Sequence, residues 1–135
     1  MNEFSNSILI KRAASLIKPR RIKDSLFADV GCVLLSQQNQ IYHGVCAASG
    51  SNTFCAETAA IVAMITGGEY RIKKIVATWK DERGKTFVIS PCGNCRLLMR
   101  ETDESNLEAV VILDEKRSVL LKELLPYYNW WQAQQ

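Results

Sequence analysis

The segment from Phe54 to Ile65 is rich in alanine and apolar on nearly every side. A helix with no polar face has nothing to offer water, so it is expected in the middle of a domain with other elements packed around it. Gly67-Gly68 ends it. A chain of 135 residues holds one domain's worth of material for that cover, and its 47% apolar and 23% charged residues are ordinary for a globular protein. We therefore read residues 1–135 as a single domain. The chain has no run of about 18 uncharged apolar residues. Glu3, Lys11 and Arg12 interrupt the region where a secretory signal needs an apolar stretch. The expectation is a cytoplasmic protein without a membrane segment.

Around that helix the pattern alternates between helix and strand. Leu9, Ala13, Leu16 and Ile17 share helical spacing and predict an amphipathic helix that stops near Pro19. Val30 to Leu35 and Ile41 to Val45 flank the turn-forming Gln37, Gln38 and Asn39 and predict a β-hairpin, followed by a loop from Ser49 to Thr53. Ile72 to Trp79 and Thr86 to Ile89 read as strands on either side of a charged turn. Ser90-Pro91 offers an N-cap and a proline at the first helical position, predicting a helix to about Arg100. Glu108 to Leu113 reads as a buried strand and Val119 to Leu125 as a short helix halted by Pro126. The order predicts an α/β fold, a three-layer α/β/α sandwich around a five-stranded mixed sheet.

Five cysteines, Cys32, Cys46, Cys55, Cys92 and Cys95, leave one over in any disulfide scheme, and a core of this size does not need cross-links. Cys92-Gly93-Asn94-Cys95 places two sulfurs on one face of a helix's first turn. Alone, that is either a redox pair or half of a structural zinc site. Cys55-Ala56-Glu57 also falls on a first turn, with Asn52 or Thr53 as its expected cap. Helix N-termini lower thiol pKa values, so two such ends facing each other favour three thiolates that need a cation. Zinc takes thiolates tetrahedrally, and three protein ligands leave one position for water. Glu57 stands close enough to that water to move its proton, and Arg96 can offset the charge of the thiolates. The competing arrangement is a closed structural site, whose fourth ligand would be Cys46, His43 or Cys32.

Cys-x-Glu followed by Pro-Cys-x-x-Cys resembles the three-cysteine signature of zinc nucleobase deaminases, in which hydroxide attacks the amine-bearing ring carbon and the glutamate shuttles protons. The chain is similar to the small tetrameric cytidine deaminase family, including members of the blasticidin-S deaminase type. The likeness extends to Val30-Gly31-Cys32-Val33-Leu34 and to Leu121-Lys122-Glu123-Leu124-Leu125-Pro126 and covers roughly residues 5–128. It implies one zinc per subunit on Cys55, Cys92 and Cys95, Glu57 as proton shuttle, and a homotetramer whose neighbouring chains complete each site. It also implies substrate contacts from Ala56, Ser90 and Pro91, from Phe27 and Cys46, and from Tyr127 or Tyr128 of a neighbour. The implied activity is hydrolytic deamination of a cytosine-like ring in a small molecule, with release of ammonia. The alternative is a non-catalytic zinc-stabilised oligomer that binds a ligand.

The departures from that family are as informative. Cys46-Ala47-Ala48 stands where cytidine deaminases carry Asn-x-Glu to grip the ribose, and the following loop is about two residues shorter. Thr58 replaces the family's usual arginine, and Leu97 its glutamine. A modified nucleoside, a nucleoside antibiotic or a free aminated heterocycle therefore fits at least as well as cytidine. Cys32 reads as core packing, and His43 as a surface or interface residue. Tyr127, Tyr128, Trp130 and Trp131 read as an interface with a neighbouring subunit. Lys18, Arg20, Arg21 and Lys23 lack interleaved aromatics, so they read as a solvated loop and not as a nucleic-acid footprint.

Overall fold

A computed structural model describes residues 4–135. The elements are α1 (Asn6–Ala14), β1 (Arg20–Ile22), β2 (Ser25–Ser36), β3 (Ile41–Ser49), β4 (Asn52–Phe54), α2 (Ala56–Thr66), β5 (Ile72–Lys80), β6 (Thr86–Ile89), α3 (Gly93–Thr102), β7 (Val110–Ile112) and β8 (Ser118–Leu120). All the strands join one sheet in the order β4-β3-β2-β5-β7-β8, with β1 paired to β2 and β6 to β5. The β5–β7 pair is parallel and the rest are antiparallel, so the sheet is mixed as expected. It has eight strands instead of five.

Alternate residues of the central strands divide the molecule into layers. Val33 and Val76 face one side, where they pack with Leu9 and Ala13 of α1. Cys32, Leu34, Ile75 and Ala77 face the other, where they pack with Ala60, Ile61 and Met64 of α2 and Met99 of α3. The three-layer α/β/α reading is therefore correct, and Cys32 is a core residue.

Of the three extra strands, β1 and β4 lie where the apolar pattern is weak, and β8 lies in a segment whose apolar pattern suggested a helix. The basic run is not a loop, because Arg20, Arg21 and Ile22 pair with Phe27, Leu26 and Ser25, all three exposed on an edge. Asn52–Phe54 returns along β3. The C-terminal segment read as one helix is a strand, β8, followed by a 3-10 turn over Leu121–Leu124. Four residues before a proline are too few for an α-helix, and the Leu120 N–H is held at 2.7 Å by the Glu123 carboxylate.

The alanine-rich helix departs from expectation on one side. Its inner face is buried, but Val62 is 50% exposed and Phe54, just before it, 45%. A helix on the outside of a sheet receives cover from its own chain on one face only. Its seat on β3 is set by Gly44, where an added Cβ would overlap the Ala56 carbonyl oxygen and the Ala60 nitrogen. Gly44→Ala should therefore push α2 outward and cost roughly 1–3 kcal/mol by overpacking. The check is the denaturant midpoint, and an unchanged midpoint would show that α2 can shift freely.

Candidate active site

Two helices begin at the same place. β5 divides one edge between two partners: Lys74 and Ile75 pair with β7, while Ala77 to Lys80 pair with β6. The end of β6 at Ile89 therefore opens beside the middle of the sheet, and the chain turns there into Ser90, Pro91 and α3. Cys92, not Ser90, is the N-cap of α3, and Cys55, not Asn52 or Thr53, is the N-cap of α2. The correction follows from the strand pairing, which keeps Asn52 and Thr53 within β4. Neither cap makes the usual side-chain hydrogen bond to its helix, which leaves both sulfurs at the helix mouths.

Cys55, Cys92 and Cys95 bring their Sγ atoms within 4.8 Å of one another. The Cys55 and Cys92 sulfurs are 3.5 Å apart. A tetrahedral zinc with sulfurs at about 2.3 Å holds them ~3.8 Å apart, so the donor set and its spacing fit that ion. Among the described residues no fourth cysteine, histidine or carboxylate joins the group. Cys46 is engaged elsewhere, donating its thiol to Asp29 Oδ1 at 2.8 Å, and His43 is exposed on β3. A closed four-residue site therefore has no candidate in the described chain.

The electrostatics differ from the expectation of three lowered thiols. Burial and then the neighbouring sulfurs push Cys55 up, and burial also raises Cys95. Cys92 alone is pulled down: the backbone N–H of Cys95 and the Cys55 sulfur outweigh its desolvation. Helix ends by themselves do not make three thiolates here, because like charges are crowded where water is scarce. A cation has to complete the deprotonation.

Glu57 occupies the second position of α2 and is only 4% exposed; burial pushes its carboxyl up. It shares a cavity of about 260 Å³ with Cys55, Cys92, Ala56, Ser90 and Cys46. Pro91 is buried behind that cavity, against Glu57 and the sheet. Arg96 donates to Pro91 O (2.7 Å), Ser90 Oγ (2.9 Å) and Leu124 O (3.2 Å), tying the Ser90-Pro91 turn to the C-terminal segment. All three acceptors are neutral. Phe27 lies apart, in a neighbouring cavity with His43 and Val45. Tyr127 is 80% exposed on the tail. Thr58, already marked by the sequence as a departure from the family, has its hydroxyl 3.5 Å from Cys95 Sγ, whereas Asp29, which holds Cys46, carries no sequence signal of its own.

The family model for the cytidine and deoxycytidylate deaminase zinc-binding region matches residues 6–113. The chain belongs to this family. It is a zinc-dependent hydrolytic deaminase, and the Cys55, Cys92 and Cys95 cluster is consistent with one zinc ion. In fold it is similar to the cytidine deaminase from Mycobacterium tuberculosis, with 24% identity and a TM-score of 0.69 over 89% of this chain and 93% of that one. It is likewise similar to the cytidine deaminase from Burkholderia pseudomallei, with 22% identity and a TM-score of 0.70 over 91% and 98%. Among curated proteins no sequence matches this chain. No helix of the described residues is long and apolar enough to cross a membrane.

Proposed function

We propose that this deaminase acts on a cytosine-like ring in a small molecule and that Glu57 moves the protons. The observation that carries the reading is a buried carboxylate in an open apolar cavity, beside two of the three clustered sulfurs. Bound zinc supplies the Lewis acidity that brings water to a nucleophilic state near neutral pH. Glu57 accepts the proton of the attacking water and passes it to the departing amine. Water oxygen bonds to the ring carbon, the carbon–nitrogen bond breaks, and ammonia leaves a carbonyl behind. Ala56 and Ser90 border this space and, with Pro91 behind it, are assigned to ring contacts, and Arg96 to offsetting the charge of the thiolates. Phe27 and Tyr127 are assigned to the outer part of the substrate, Tyr127 from a neighbouring subunit.

Cys46, Ala47 and Ala48 line the cavity without a carboxylate or amide. That wall suits a modified nucleoside, a nucleoside antibiotic or a free aminated heterocycle better than the hydroxyls of plain ribose. The test is ammonia release by the zinc-loaded protein from cytidine, deoxycytidine, N4-substituted cytidines, blasticidin S and free bases. Release from none of them would remove the reading.

We further propose that the chain works as a cytoplasmic homotetramer. Val62, Phe54 and the adjacent Ala59 and Ala63 leave an uncovered apolar groove along α2. The tail exposes Trp130 and Trp131, the latter 91%. Apolar surface of this extent is more often an interface than a monomer's exterior. Val62→Glu should break the assembly to a smaller species at micromolar concentration, read by light scattering. A tetramer that survives it would place the interface elsewhere.

A further inference from the structure

β2 does not run evenly past β3. The pairing passes from Phe27 with Ala47 to Gly31 with Val45, so Ala28, Asp29 and Val30 stand opposite Cys46 alone. Within this bulge Ala28 takes φ +60°, the left-handed region that a residue with a Cβ enters at a cost of about 1–2 kcal/mol. Strain of that kind persists only where its surroundings hold it, and it gathers at functional sites. Here the Ala28 carbonyl accepts the Lys18 N–H at 3.0 Å, and the Asp29 side chain is turned onto Cys46, whose thiol donates to Oδ1 at 2.8 Å. Burial and the Asp29 carboxylate both keep the proton on that sulfur. Asp29 makes no ion pair among the described residues.

Cys46, Ala47 and Phe54 line both the inner cavity with Glu57 and an outer one of about 500 Å³ that includes Phe27 and His43. These three residues form the wall the two cavities share, so a substituent leaving the ring on that side of the inner cavity runs along Cys46, with the Asp29 carboxylate behind it. No lysine or arginine lines either cavity. His43, the one basic side chain in the outer cavity, is held towards its neutral form by burial and by Arg12. Across the Cys46 wall from both cavities stands the half-buried Asp29 carboxylate, which lines neither of them, and its field reaches the far end of a bound substrate through that apolar wall.

We propose that Asp29, turned onto Cys46 by the β2 bulge, determines specificity by selecting aminated pyrimidines whose substituent remote from the reacting amine is positively charged, an ammonium or amidinium group. The proposal rests on the deaminase reading above. Its test compares two cytosines that differ only in the group on ring nitrogen N1, aminoethyl against hydroxyethyl. The zinc-loaded protein should favour the aminoethyl compound in kcat/KM by about tenfold or more at low salt, and added salt should reduce that preference. Dissociation constants measured by calorimetry on zinc-loaded Glu57→Gln protein should show the same ratio without turnover. Asp29→Asn should bring the ratio towards one, while Cys46→Ser, which keeps a donor to Asp29, should preserve it. Turnover of either compound with no charge preference, or a preference untouched by Asp29→Asn, overturns the proposal and leaves the deaminase reading standing. If Asp29→Asn does not fold, a wild-type ratio that salt fails to move overturns it equally. Ammonia from neither compound, nor from any member of the broader panel, removes both readings together.

Discussion

Glu57→Gln should lower ammonia release by about 10²–10⁴-fold, the range over which a positioned acid–base group contributes, with zinc content unchanged. The amide keeps the shape of the side chain and its place at the second position of α2, but it can neither take a proton from water nor hand one to a leaving amine. Metal retention follows from the geometry, since the ligand group is the three sulfurs and does not include the carboxylate. Stability should hold as well. An amide of the same volume is cheaper to bury than a carboxylate in an apolar cavity. The two measurements are ammonia release under saturating substrate and metal content of the purified variant. Turnover within about threefold of the parent protein would reassign the proton transfer to another group. Lost zinc would show that Glu57 supports the metal instead.

Removing the metal should have the next largest effect, and it should reach the whole domain. Chelation, or Cys95→Ser, is expected to abolish turnover and lower the unfolding temperature by roughly 10 °C or more, because binding energy to a structured thiolate site is also folding energy. The fold makes this coupling direct. Cys55 and Cys92 are the N-caps of α2 and α3, and Cys95 is fully buried at their junction. Without a cation the two helix mouths hold crowded, poorly solvated sulfurs in place of a bonded cluster. Differential scanning fluorimetry with and without chelator reads the shift. Alkylation supplies a second reading: the exposed Cys92 should resist iodoacetamide until chelator is added. Ready labelling of zinc-loaded protein would favour thiol redox chemistry at Cys92 and Cys95.

The chemistry was legible in the chain because it is local. Cys55 to Glu57 and Cys92 to Cys95 are short segments on helical first turns, where spacing alone places the donors. A sulfur cluster with a neighbouring carboxylate has few chemical uses. The sandwich was legible for a similar reason, since Val30 to Leu35 and Ile72 to Trp79 announce central strands by their apolar runs. The small edge strands were not, because β1 is exposed throughout and carries Arg20 and Arg21. Its pairing energy comes from a partner strand and leaves no mark in its own pattern. The C-terminal residues read as a helix for the opposite reason, since Val119 to Leu125 has an apolar pattern but too little length before Pro126.

The residue types at the metal site, the two helix starts that carry them and the alternation of the central strands are properties of the sequence itself, since covalent spacing and hydrophobic periodicity act over a few residues. The meeting of the two cysteine caps depends instead on β5 dividing its edge between β6 and β7, and the uncovered face of α2 on there being no further layer of the described residues beyond it. The turn of Asp29 onto Cys46 belongs to that second group, because a bulge is a mismatch between two strands and neither strand records it alone. Pairing, register and cover are relations between distant segments, and only the folded chain brings those segments together.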